Sequence, residues 1–127
     1  MKKFILLLVI VAGAFSSCKK EYIANTNSSQ TLLYDVPSNA WIGYNNGDSY
    51  SVSISVPEIT SYFRQNGQVS LYISFDNGAY EQIPEVYNDI SYSFTHSTGD
   101  ITIDVQDLAH LGIPPPSNST VKVVLTD

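Results

Sequence analysis

A single cysteine, a single tryptophan and only six basic residues among 127 set the first limits on this chain. With Cys18 alone, no intramolecular disulfide can form. Between residues 32 and 127 the only basic residues are Arg64 and Lys122, against eleven Asp and Glu, a formal charge of −9. Nucleic acid is therefore excluded as a partner, because phosphate binding needs a basic face. The acidity favours solubility, or cationic and metal partners. Long apolar runs are scarce as well. Phe4 to Ala14 gives eleven residues, about 16 Å as a helix and roughly half a bilayer core, too short to span a membrane.

Catalytic vocabulary is equally thin. His96 and His110 are the only imidazoles, and no Gly-x-Ser-x-Gly elbow selects one serine from the many. His96 closes the alternating run "ISYSFTH" on the parity of Phe94, as a partly buried strand-end residue does. His110 precedes a proline run, in a loop facing solvent. Glu81, Glu85 and Asp89 recur every four residues, but Pro84 breaks any helix there. They read as solvated loop charge rather than a glycosidase pair, which needs two acids across a sugar-binding cleft. Asp48, Asp76, Asp100, Asp104 and Asp107 fall at turns or strand ends. Calcium takes six to eight oxygens from such loops, yet no EF-hand or acidic repeat is present and turn preference explains the aspartates. No cofactor is expected, calcium being the one conceivable ion.

What is present begins with an address. "MKKFILLLVIVAGAFSSC" has a basic start, an apolar centre and a small-residue approach to Cys18, the parts of an export signal over 1–17. The placement of Cys18 after "FSS" resembles a bacterial lipobox, with Phe15 where Leu is usual. A lone thiol finds no partner in an oxidising compartment, which favours lipidation over a chance cysteine. Two or three acyl chains would hold the chain to a membrane durably. Residues 18–31, ending in the polar "YIANTNSSQT", read as lipidated cysteine plus flexible tether. "KKE" after the cysteine is too brief to choose between the periplasmic and the surface-facing side of the outer membrane.

Residues 32–127 read as one domain. Leu32, Tyr34 and Val36 fall at every second position; so do Tyr50, Val52, Ile54 and Val56; Val69, Leu71, Ile73 and Phe75; Ile90, Tyr92 and Phe94; Ile101, Ile103 and Val105; and Val121, Val123 and Leu125. Repeated period two with a Ser/Thr-rich opposite face marks half-buried antiparallel strands. "NNGD" at 45–48 and "DNGA" at 76–79 are hairpin turns. "PEITSYFRQNG" predicts a short crossing helix near 57–66, with Pro57 in the first turn, Gly67 at the stop, and Ile59, Tyr62 and Phe63 as its buried stripe. "LAHLGIPPPS" predicts a second crossing loop, with room for a helical turn before an extended proline connector. The fold class is all-β, a two-layer antiparallel sandwich, immunoglobulin-like or jelly-roll-like.

"ISVPEITSYFRQNGQVSLYISF", then "YEQIP" and the terminal "VKVVL", resembles a group of small secreted bacterial β-sandwich lipoproteins. Ile83-Pro84 stands where that pattern has Leu-Pro. The resemblance implies the sandwich and an envelope location, and carries no catalytic residue.

Nine tyrosines are many for so few charges. Tyr34, Tyr50, Tyr62 and Tyr92 share parity with core residues and are expected inside. Tyr72 is out of phase with Leu71 and Ile73 and is expected outside. Trp41, Tyr44, Tyr80 and Tyr87 lie near turns. Trp41 can plug the core; alternatively Trp41, Tyr44, Tyr72, Tyr80 and Tyr87 can stack on sugar rings. The leading expectation is a non-catalytic envelope protein, anchored at Cys18, that makes structural or surface contacts with envelope proteins. The alternatives are a carbohydrate-binding accessory lipoprotein and, more remotely, a small hydrolase.

Overall fold

The computed structural model describes residues 29–127 and the backbone of 19–25. The export signal over 1–17 and Cys18 lie outside the described residues. Among the described residues, ten strands, one short α-helix and a 3-10 turn (Ser38–Ala40, between β2 and β3) follow in order: β1 (Lys19–Asn25), β2 (Ser29–Val36), β3 (Ile42–Tyr44), β4 (Ser49–Ser55), α1 (Ser61–Asn66), β5 (Gln68–Phe75), β6 (Glu81–Ile83), β7 (Glu85–Tyr87), β8 (Ile90–Ser97), β9 (Asp100–Asp107) and β10 (Ser119–Thr126). Sheet I has the order β1-β2-β10-β5-β6, and sheet II the order β3-β4-β9-β8-β7. Every pairing is antiparallel. The expected all-β sandwich is thus the fold. Because β2 lies beside β10 in one layer and β4 beside β9 in the other, the winding is closer to a jelly roll than to an immunoglobulin domain.

The period-two pattern explains the layering directly. Leu32, Val36, Leu71, Ile73, Val121 and Val123 on sheet I, and Val52, Ile54, Ile101, Ile103 and Val105 on sheet II, are all buried. Their partners in sequence, Ser53, Ser55, Asp104 and Gln106 among them, face out. Each aliphatic side chain removed from water contributes about 1.5–3 kcal/mol, so the inner faces hold the layers together. Tyr34 and Tyr50 are inside as expected. Burial, and then the charge of Glu58, raise the Tyr34 hydroxyl above its ordinary pKa. Trp41 also belongs to this core.

Tight turns carry the chain between strands. Asn45, Asn46 and Gly47 all have positive φ in the first expected hairpin, and Asp76 and Asn77 in the second. Gly47 is needed twice over: its φ is +86°, and a Cβ there would sit 2.6 Å from the Ile113 carbonyl oxygen.

Four expectations need correction. The helix is confined to Ser61–Asn66, because Thr60 is the better N-cap: its hydroxyl accepts from the Phe63 N–H at 3.1 Å. Ile59 is buried but precedes the helix, its carbonyl accepting from the Gly99 N–H. Tyr62 is 69% exposed rather than inward, since a helix this short turns only Phe63 against the core. Gly67 stops it with φ −96° and leaves space that the Phe63 ring fills, 2.4 Å from where a Cβ would be.

The stretch read as a tether is not wholly one: β1 pairs with β2, Lys19 opposite Asp35 through Asn25 opposite Gln30. The ordered sheet therefore starts before residue 32. No helical turn precedes the prolines either. Buried Asp107 directs that loop instead, its carboxylate accepting from the N–H groups of Ala109, Leu111 and Gly112 at 3.0, 2.9 and 2.9 Å.

Two substitutions test this account by urea unfolding. Ile103→Ala is expected to cost about 2–5 kcal/mol, while Thr102→Ala, one residue earlier and facing out, stays within about 0.5 kcal/mol. Asp107→Asn, which puts an amide donor against backbone donors, is expected to cost roughly 1–3 kcal/mol.

Candidate functional site

Pairing brings together what the sequence leaves far apart. On the outer face of sheet I, Leu33, Lys122, Tyr72 and Gln82 stand opposite one another across β2, β10, β5 and β6. Residues so paired share a face. The Lys122 ammonium lies 4.8 Å from the Tyr72 ring centre and 4.4 Å from that of Tyr80, which precedes β6. Each such contact is worth about 0.5–1 kcal/mol at an exposed site. Among the described residues no carboxylate pairs with Lys122. A lysine at mid-strand is thus braced by two aromatic rings, and the rings by the lysine.

Two residues along the strands, Asp35, Thr120 and Ser74 form the next row of this face, about 7 Å away at the ordinary strand rise. Beyond them the sheet ends in an open basin of about 420 Å³ that includes Asp76, Asn77 and Asn118. Its wall is tied down: the Asn118 side-chain oxygen accepts from the Ser38 N–H at 2.8 Å, and its carbonyl from the Asp76 N–H at 2.9 Å. Ser74 donates its hydroxyl proton to the Gly78 carbonyl at 2.8 Å and closes the turn.

The expected stacking residues separate into three groups. Tyr72 and Tyr80 come together through Lys122. Tyr44 and Tyr87 are 50% and 59% exposed, yet they lie on β3 and β7, the opposite edges of five-stranded sheet II. Four strand spacings, about 19 Å, part them, so no single ring can touch both. Trp41 is only 6% exposed, and its place in the core removes it from any stacking surface.

The charged and nucleophilic candidates lie elsewhere. His110 is exposed, and its Nδ1 lies 2.7 Å from Asp48 Oδ1. A Ser-His-Asp site needs a serine beside such a pair, and none hydrogen-bonds His110 among the described residues. His96 is half-buried on β8. Glu81 and Glu85 occupy short edge strands, not a loop, with Asp89 in the turn after β7. Burial and then the charge of Glu81 raise the Glu85 carboxyl above its ordinary pKa. Burial, then Glu81 and Glu85, raise the Tyr92 hydroxyl. Tyr92, expected inside, is half-buried against Phe75 with ring centres 5.8 Å apart. Acids here block strand addition at the open flank of the sandwich. Among the described residues no three His, Cys, Asp or Glu side chains gather to hold a metal ion.

Asp76 and Asn77 stand out in the sequence only as turn residues, and Asn118 not at all. The one local signal at Asp35 and Lys122 is outward parity on β2 and β10; the rest depends on long-range register. Comparison with known proteins finds no matching family model, curated protein or solved structure.

The His110 contact yields a pH signature. The hydrogen bond that His110 donates to Asp48, then the charge of Asp48, raise the imidazole pKa above its ordinary value, with burial opposing and Asp107 adding to the rise. A raised folded-state pKa stabilises the fold fully below the ordinary histidine range, about 6.5, and the contribution fades as pH climbs through the folded value. An NMR titration should place His110 above the ordinary histidine value of about 6.5, and Asp48→Asn should bring it back down.

Proposed function

We propose that the chain is a non-catalytic, lipid-anchored module of the bacterial cell envelope that acts by surface contact. The observation that carries this reading is the sequence Lys2-Lys3, apolar 4–14, Ser16-Ser17-Cys18, followed at once by the sheet: β1 begins at Lys19. Such an anchor works through acyl chains and leaves the folded domain free to meet partners. Among the described residues no helix is long and apolar enough to cross a membrane. The side chains best suited to chemistry have structural employment: Asp107 holds a loop, and Asp48 and His110 hold each other.

A second reading, carbohydrate binding by an accessory lipoprotein, is favoured by the Tyr72–Lys122–Tyr80 group. Aromatic rings at a flat, exposed sheet face suit the apolar faces of sugar rings, and the fixed lysine keeps both tyrosines in place.

Feeding expressing cells an alkyne fatty acid tests the anchor. The wild-type protein is expected to take up label and Cys18→Ala none. Equal labelling of the two rejects the anchor.

A further inference from the structure

The basin at the end of sheet I has a chemistry of its own. Asp35 and Asp76 offer carboxylate oxygens, Asn77 and Asn118 amides that both donate and accept, and Pro37 an apolar edge. Vicinal hydroxyls are donors and acceptors side by side, and this mixture answers both. Rigidity favours binding too. Asp76 and Asn77 occupy a tight turn with φ 51° and 60°, and Asn118 is fixed by Ser38 and Asp76, so little ordering is left to be done on association. A basin of about 420 Å³ falls within the range of small-ligand sites.

Charge narrows the class. Two carboxylates at the rim of a domain carrying −9 over residues 32–127 repel a uronate or a sulfated sugar. Geometry extends the site: Asp35 and Thr120 are one outward step along β2 and β10 from Leu33 and Lys122, so basin and aromatic group form one continuous surface.

We propose that the basin formed by Asp35, Asp76, Asn77 and Asn118 is a subsite for a neutral glycan, with Tyr72 and Tyr80 stacking against its next sugar. This rests on the second reading above and assigns the polar half of the site, which aromatic residues alone do not supply.

Affinity electrophoresis tests it. The full chain in detergent is run through native gels containing mannan, xylan, dextran or laminarin, with polygalacturonate as the anionic counterpart. Retardation is expected in at least one neutral gel and not in polygalacturonate. Asp35→Ala and Asn77→Gly, the latter compatible with positive φ, should each weaken retardation roughly tenfold or more at unchanged melting temperature. Ser93→Ala on sheet II should match the wild type. Migration unaffected by all four neutral glycans overturns the proposal, as does retardation by polygalacturonate or retardation that survives both basin substitutions. Fatty-acid labelling separates the two ideas: a labelled chain that binds no glycan discards the basin and keeps the anchor. A glycan-binding chain labelled regardless of Cys18 does the reverse.

Discussion

Contact between the two inner faces is the constraint on which everything else depends. Leu71, Ile73, Val121 and Val123 reach from one sheet towards Ile54, Ile101, Ile103 and Val105 of the other, all essentially without solvent. Side chains alternate strictly along a strand, so burying one set forces its neighbours outward. A register slip by one residue would put Ser53 or Asp104 into the core and Ile54 or Ile103 into water. The inner contact thus fixes the composition of the outer faces as firmly as that of the core.

The outer faces differ in consequence. Sheet II presents Ser49, Ser51 and Ser53 on β4 beside Thr102, Asp104 and Gln106 on β9 and Ser91 and Ser93 on β8. Apart from Asp104 and Gln106 these are short side chains, and Ser53 and Thr102 lie 3.3 Å apart, hydroxyl to hydroxyl. Sheet I has longer, more varied groups: Tyr72, Lys122, Gln82 and Asp35. Small hydroxyls have little reach with which to grip a ligand. Rings, amides and carboxylates have both reach and direction. The asymmetry points the functional reading towards sheet I.

The long strands were legible because each carries three or more alternations, enough to exceed chance. Edge strands β3, β6 and β7 have three residues each, too few to show a period, and their exposed sides impose no apolar rule. The pairing of β1 escaped detection for a related reason. "KKEYIAN" lies at the sheet edge, where backbone hydrogen bonds suffice and composition is free. The start of helix α1 is ambiguous in the sequence because Pro57 and Thr60 both make good beginnings. Thr60 prevailed through a side-chain bond that only coordinates reveal. The Tyr72–Lys122–Tyr80 group was half visible: parity put Tyr72 outside, but its partner is fifty positions away and was set by which strand lies next to β5.

Where β1 lies has a further consequence for the proposed anchor. Lys19 pairs with Asp35, the residue at the rim of the basin, while Asn25 pairs with Gln30 at the far end of the same strand pair. Acyl chains on Cys18 would therefore hold the basin end of sheet I close to the lipid headgroups, with Tyr72 and Tyr80 leading away along the strands. In that orientation a glycan chain would lie along the sheet, its end in the proposed basin and its next ring on the tyrosines. It also makes the acidity intelligible. A domain held against anionic headgroups is pushed outward by its own negative charge. With the anchor proposed above, that repulsion would keep the basin mouth clear of the bilayer.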